Sequence, residues 1–186
     1  MPNRCAALFA LLAAVSFGAQ ANNLDFNLGG NAAAISYSAN LTNTGLQGSL
    51  GYMHHTSLAD IGSLGLGLVG NASPVGSPMI FRVGGKVVLI SPKSANDGTA
   101  LALGANFHYV WPSYNRFAVG GEFYYAPNIV SFRNTDRYME FGVRAGYSIL
   151  RNAEVYVGYR HISAAFSGSG NVTLDNTFMA GISLTF

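Results

Sequence analysis

Large apolar residues recur at every second position along most of this chain, and the positions between them carry glycine, small polar groups or charge. In RYMEFGVRAGYSIL (137–150), Met139, Phe141, Val143, Ala145, Tyr147 and Ile149 share one parity. Tyr138, Glu140, Gly142, Arg144, Gly146 and Ser148 share the other. The same split runs through IFRVGGKVVLI (80–90), TALALGANFHYV (99–110), RFAVGGEFYYA (116–126), AEVYVGYRHI (153–162) and the closing FMAGISLTF (178–186). A period of two is the signature of extended strands with unlike faces. Segments of about 9–11 residues fit a tilted strand crossing the hydrocarbon of a bilayer. Several tyrosines (Tyr109, Tyr125, Tyr147, Tyr159) fall toward the ends of the apolar rows, where an interfacial aromatic girdle is expected.

The N-terminus is built differently. MPNRCAALFALLAAVSFGAQA has one positive residue, Arg4, an apolar stretch too short to span a bilayer as a helix, and Ala19-Gln20-Ala21. That order is a secretory signal, so residues 1–21 are expected to be cleaved and 22–186 to form one mature domain. Cys5, the only cysteine, goes with the signal, which leaves no disulfide and no cysteine-based metal site. Charged residues are 10% of the chain, where soluble domains carry about 25%. Removing Arg4 leaves nine Lys and Arg against eight Asp and Glu, with no basic run to suggest nucleic acid. An exported chain with few charges, much glycine and alternating strands reads as an outer-membrane barrel.

Turn signals at 41–45, 72–78, 111–115 and 150–152 alternate with more polar segments at 54–60, 91–98, 126–136 and 167–175. The first set is expected to form short periplasmic turns and the second set longer extracellular loops. Counting back from Phe186 gives an all-β, single antiparallel up-and-down transmembrane barrel of ten strands, the first two joined by a tight turn at Gly29-Gly30-Asn31. Eight strands is the alternative if the N-terminal hairpin stays outside the wall.

The inward parity collects Asp25, Glu122, Glu140 and Glu154 against Arg82, Lys86, Arg144 and Arg160. Buried charges must be paired or hydrated, so these eight are expected to form an ion-paired lumen. The barrel is then either a packed structural wall or a narrow porin-like conduit. An esterase reading rests on His161 and Ser163, both on the outward parity, with Asp175 as the local acid; His-x-Ser on an outer wall resembles lipid A deacylases. Asp175, however, falls on the inward parity. His54 and His55 are adjacent, so a strand sends them to opposite faces, which argues against a metal site. No cofactor motif is present. A third alternative, a secreted lipocalin-like barrel holding an apolar ligand, needs the apolar face turned inward.

PSYNRFAVGGEFYYAPNIVSF (112–132), DRYMEFGVRAGYSILRNAEVYVGYRHI (136–162) and LGYMHH (50–55) resemble the YfaZ family of bacterial outer-membrane proteins. The resemblance implies a small barrel in the outer membrane and brings no catalytic residues or cofactor with it. Gly181, Leu184 and the terminal Phe186 also resemble the C-terminal signal read by the outer-membrane barrel assembly machinery. The expected partners are that machinery, outer-membrane lipid and lipopolysaccharide; the sequence does not set an oligomeric state.

Overall fold

The computed structural model describes residues 22–41, 44–72, 79–93, 96–168 and 170–186. The expected signal segment, and most of the turn at 72–78, lie outside the described residues. Ten strands form the wall: β1 (Asn22–Gly29), β2 (Ala32–Asn40), β3 (Leu46–His55), β4 (Ala59–Ala72), β5 (Met79–Pro92), β6 (Gly98–Val110), β7 (Phe117–Ala126), β9 (Thr135–Leu150), β10 (Ala153–Phe166) and β11 (Gly170–Thr185). The two-residue β8 (Ser131–Phe132) only extends the rim, pairing with the start of β6 at Thr99 and Ala100. Every wall strand pairs antiparallel with its neighbours in sequence, and β1 pairs with β11. The ring is closed, so no open edge remains to be satisfied along the membrane, the condition a sheet must meet in lipid.

The apolar row faces outward. Leu64, Val83, Leu103 and Val157 are each more than 60% exposed, and Phe26, Leu66, Leu89, Phe123, Phe141 and Val143 add to the same belt. An apolar surface of this extent belongs in hydrocarbon and not in water. It rules out the lipocalin-like alternative, which requires these side chains inside. Toward the turn end Trp111 meets Tyr109 edge-on at 6.0 Å and Phe117 meets Tyr147 at 5.0 Å. Higher on the wall Tyr159 and Phe178 pair at 5.4 Å.

The expected contrast between short turns and long loops is absent. The connections at the loop end span 30–31, 56–58, 93–97, 127–134 and 167–169, and those at the turn end 41–45, 73–78, 111–116 and 151–152. Polar stretches that read as loops, such as 54–55, 91–92 and 170–175, are taken up by strands. Antiparallel pairing satisfies the backbone whatever the side chains are, and above the hydrocarbon neither face needs to be apolar.

One irregularity shapes the interior. Ile162 pairs with Asp175 and the next residue, Ser163, pairs with Thr173, so Leu174 is the extra residue of a β-bulge. Leu174 and Asp175 therefore both enter the barrel, and both are fully buried.

Candidate functional site

The lumen has two unlike halves. At the loop end an apolar cluster spans the barrel from wall to wall. Ala59, Ile90, Ala100, Tyr138, Phe166 and Leu174 come from six different strands, and none is more than 2% exposed. Phe166 on β10 reaches past Thr135 of β9 to Gly98 on β6, where an added Cβ would lie 3.0 Å from its ring. This seal is not foreseen in the reading of the inward face as polar. Its trace is VVLI (87–90), a run in which both parities are apolar.

Beneath the seal lies a cavity of about 710 Å³, reaching from Tyr124, Tyr138 and Ile162 down to Asn40, Arg151, Asn152 and Thr185 at the turn end. Several of its large inward side chains fit because they sit opposite a glycine. Glu122 faces Gly142, Arg144 lies between Gly120 and Gly158, and Tyr156 lies between Gly146 and Gly181. A Cβ on Gly142 would already stand 3.0 Å from Glu122 Oε1, so the glycines are the space the charges use.

The polar groups are stacked in tiers. Deepest, Arg160 Nε donates to Asp175 Oδ2 at 2.7 Å and its Nη1 to Asn27 Oδ1 at 3.0 Å. In the next tier Lys86 Nζ donates to Glu140 Oε2 at 2.6 Å, and the Tyr138 hydroxyl donates to the same oxygen. The ammonium also lies 4.0 Å over the Tyr124 ring. Arg144 Nη1 then reaches Asp25 Oδ2 at 3.1 Å, while the Tyr156 hydroxyl donates to Asp25 Oδ1 at 2.6 Å. Nearest the turn end His108 Nε2 lies 3.1 Å from Glu154 Oε2, and Arg82 Nη1 donates to Gln47 Oε1 at 2.6 Å.

The eight charges expected in the lumen are all there, but their partners differ from a four-to-four match. Only Lys86–Glu140 and Arg144–Asp25 pair within that set. Arg160 takes Asp175, Glu154 takes His108, Arg82 is held by neutral amides, and Glu122 has no cation within 4.0 Å among the described residues. Asp175 and His108 both lie on inward parity and could have been added from it. Gln47, Asn106 and Asn27 carry no signal beyond it.

The esterase constellation is not assembled. His161 is half-buried and Ser163 is buried, both on the outward parity of β10, while Asp175 lies on the opposite side of the sheet, bound to Arg160. The two adjacent histidines also part company. His54 Nδ1 lies 2.6 Å from Asp60 in an exposed position, whereas buried His55 accepts from the Ser57 and Leu58 amides at 3.2 Å. At the C-terminus Gly181 accommodates Tyr156, Leu184 pairs with Leu24 of β1, and Phe186 is 65% exposed. Asn22 and Phe186 exchange backbone hydrogen bonds at 2.8 and 3.0 Å and finish the ring.

A family model described as YfaZ precursor matches residues 2–186. The outer membrane protein YfaZ of Escherichia coli (strain K12) is 32% identical over 145 residues, which cover 77% of this chain and 76% of that relative. Among solved structures, a KdgM porin in complex with disordered oligogalacturonate aligns with a TM-score of 0.48 at 12% identity, over 89% of this chain and 99% of its own. A NanC porin aligns with a TM-score of 0.47 at 10% identity, over 90% of this chain and 100% of its own. With the apolar wall, the closed ten-strand ring and this relationship together, the chain belongs to the YfaZ family of bacterial outer-membrane β-barrel proteins.

Proposed function

We propose that this protein is a non-catalytic structural barrel of the outer membrane, closed to through-flow at its loop end and stiffened by tiers of ion pairs. The apolar seal carries this reading. A narrow conduit needs a continuous wet path, and Tyr138, Phe166 and Leu174 lie across it with 2% exposure or less. The half-open cavity below is in the size range of a ligand pocket, about 300–1,000 Å³. Both termini and the turns face the periplasm, as in other barrels with an even number of strands. The outer wall contacts lipid and lipopolysaccharide, and the assembly machinery reads the strand that ends at Phe186. The separation of His161 and Ser163 from Asp175 supports a non-catalytic wall.

Planar-bilayer recording tests the proposal. Wild type gives no stable unitary steps, and Phe166→Ala combined with Leu174→Ala gives them. Steps from the wild type overturn closure in favour of a porin-like conduit. Silence from the double variant overturns the assignment of the seal.

A further inference from the structure

Three acids of the lumen have a cationic partner, Asp25 with Arg144, Glu140 with Lys86 and Asp175 with Arg160, and Glu154 lies beside the His108 ring. Two cations lining the cavity, Arg82 and Arg151, have no carboxylate within 4.0 Å among the described residues. Arg82 is the inner of the two and is held in place by neutral groups. Its Nη1 donates to Gln47 Oε1 at 2.6 Å, and Gln47 is itself braced by Nε2 donating to Asn40 Oδ1 at 3.2 Å. On the other side the Asn106 amide lies against Arg82, and with its carbonyl turned toward the guanidinium, the orientation that satisfies both groups, it accepts from Nη2 at 2.6 Å and Nε at 3.1 Å.

These contacts fix the plane of the guanidinium without neutralising it. Of the roughly five N–H donors a guanidinium carries, one on Nη1 and one on Nη2 are left over. Donors left on two nitrogens of one guanidinium can be shared by the oxygens of a single anion. The surroundings favour the same sign. The inward positions of β2, β3 and β4 carry no acid; they offer Ser36, Ser38, Ser49 and Ser63 hydroxyls to the cavity. The nearest acid along the wall is Glu122, one strand beyond Asn106 on β7. Arg151, at the rim, adds a second positive charge at the entrance, which raises the local concentration of anions.

We propose that Arg82, clamped by Gln47 and Asn106, is the anchor of a binding site for a small carboxylate or phosphate that enters from the turn end. The proposal goes beyond the structural role above and does not depend on closure, because binding is read without conductance. The test is isothermal titration calorimetry on protein refolded in zwitterionic detergent, with citrate and inorganic phosphate titrated separately at constant ionic strength. Two arms separate a carboxylate from a phosphate preference. Wild type shows saturable uptake of at least one, Arg82→Gln weakens it tenfold or more, and Glu122→Gln strengthens it. Arg82→Lys keeps the charge without the fork, so it falls between wild type and Arg82→Gln, and it covers the case in which Arg82→Gln fails to fold. Absence of saturable uptake of either anion by wild type overturns the site, as does equal affinity in wild type and the Arg82 variants.

Discussion

Replacing Lys86 by methionine keeps the length of the side chain and removes the charge from the Lys86–Glu140 pair. Both side chains are deeply placed, at 14% and 10% exposure, and the ion pair is 2.6 Å long. Removing one partner of such a pair costs about 3–5 kcal/mol, because the other charge is stranded where water is scarce. Tyr138 still donates to Glu140 after the change, and a hydrogen bond to a charged group is worth about 1.5–3 kcal/mol. The expected loss is therefore at the lower end, about 3 kcal/mol. Adding Glu140→Gln removes the stranded charge and leaves an acceptor for Tyr138, so the double variant should recover about 1–2 kcal/mol of that loss. Urea unfolding in lipid vesicles, followed through the single tryptophan at Trp111, measures all three. A cost below about 1 kcal/mol for Lys86→Met, or a double variant less stable than the single, refutes the idea that the pair stabilises the wall.

Other substitutions probe the remaining parts of the fold. Val143 is 43% exposed on the lipid face, so Val143→Arg should cost about 2–4 kcal/mol in the same unfolding assay. Gly104 packs so closely on β7 that an added Cβ would overlap the Phe123 carbonyl; Gly104→Val should abolish the heat-modifiable folded band on gels. Deleting Phe186 removes the exposed terminal aromatic and two backbone hydrogen bonds to Asn22, and should slow assembly into the membrane as followed by pulse-chase. Ser163→Ala should leave lipid A acylation unchanged relative to wild type.

The parts of this structure that follow from alternation were legible residue by residue. Phe141, Val143 and Tyr147 belong outside and Glu140, Arg144 and Arg160 inside because strand geometry allows no other arrangement once the face is known. Pairing was not legible. Parity says that Arg160 and Glu140 share the lumen, but whether Arg160 meets Glu140 or Asp175 depends on the register between strands, and a bulge at Leu174 resets that register. The seal was hidden for a related reason. Val88 and Ile90 lie on the same parity as Arg82 and Lys86, so one strand face changes from charged to apolar along its length. A reading that assigns each face a single character averages that change away.

The seam where the first strand meets the last is short. β1 runs beside β11 only from Asn23↔Thr185 to Gly29↔Met179, while β10 follows β11 from Ala153↔Leu184 up to Phe166↔Gly170. Joining ends so distant in sequence carries the largest loop-closure entropy of any neighbouring pair, yet its ladder is about half the length of the one beside it. The cylinder should therefore zip shut at this line last and unzip there first, with the β9–β11 sheet surviving as an intact flap after the circle has parted.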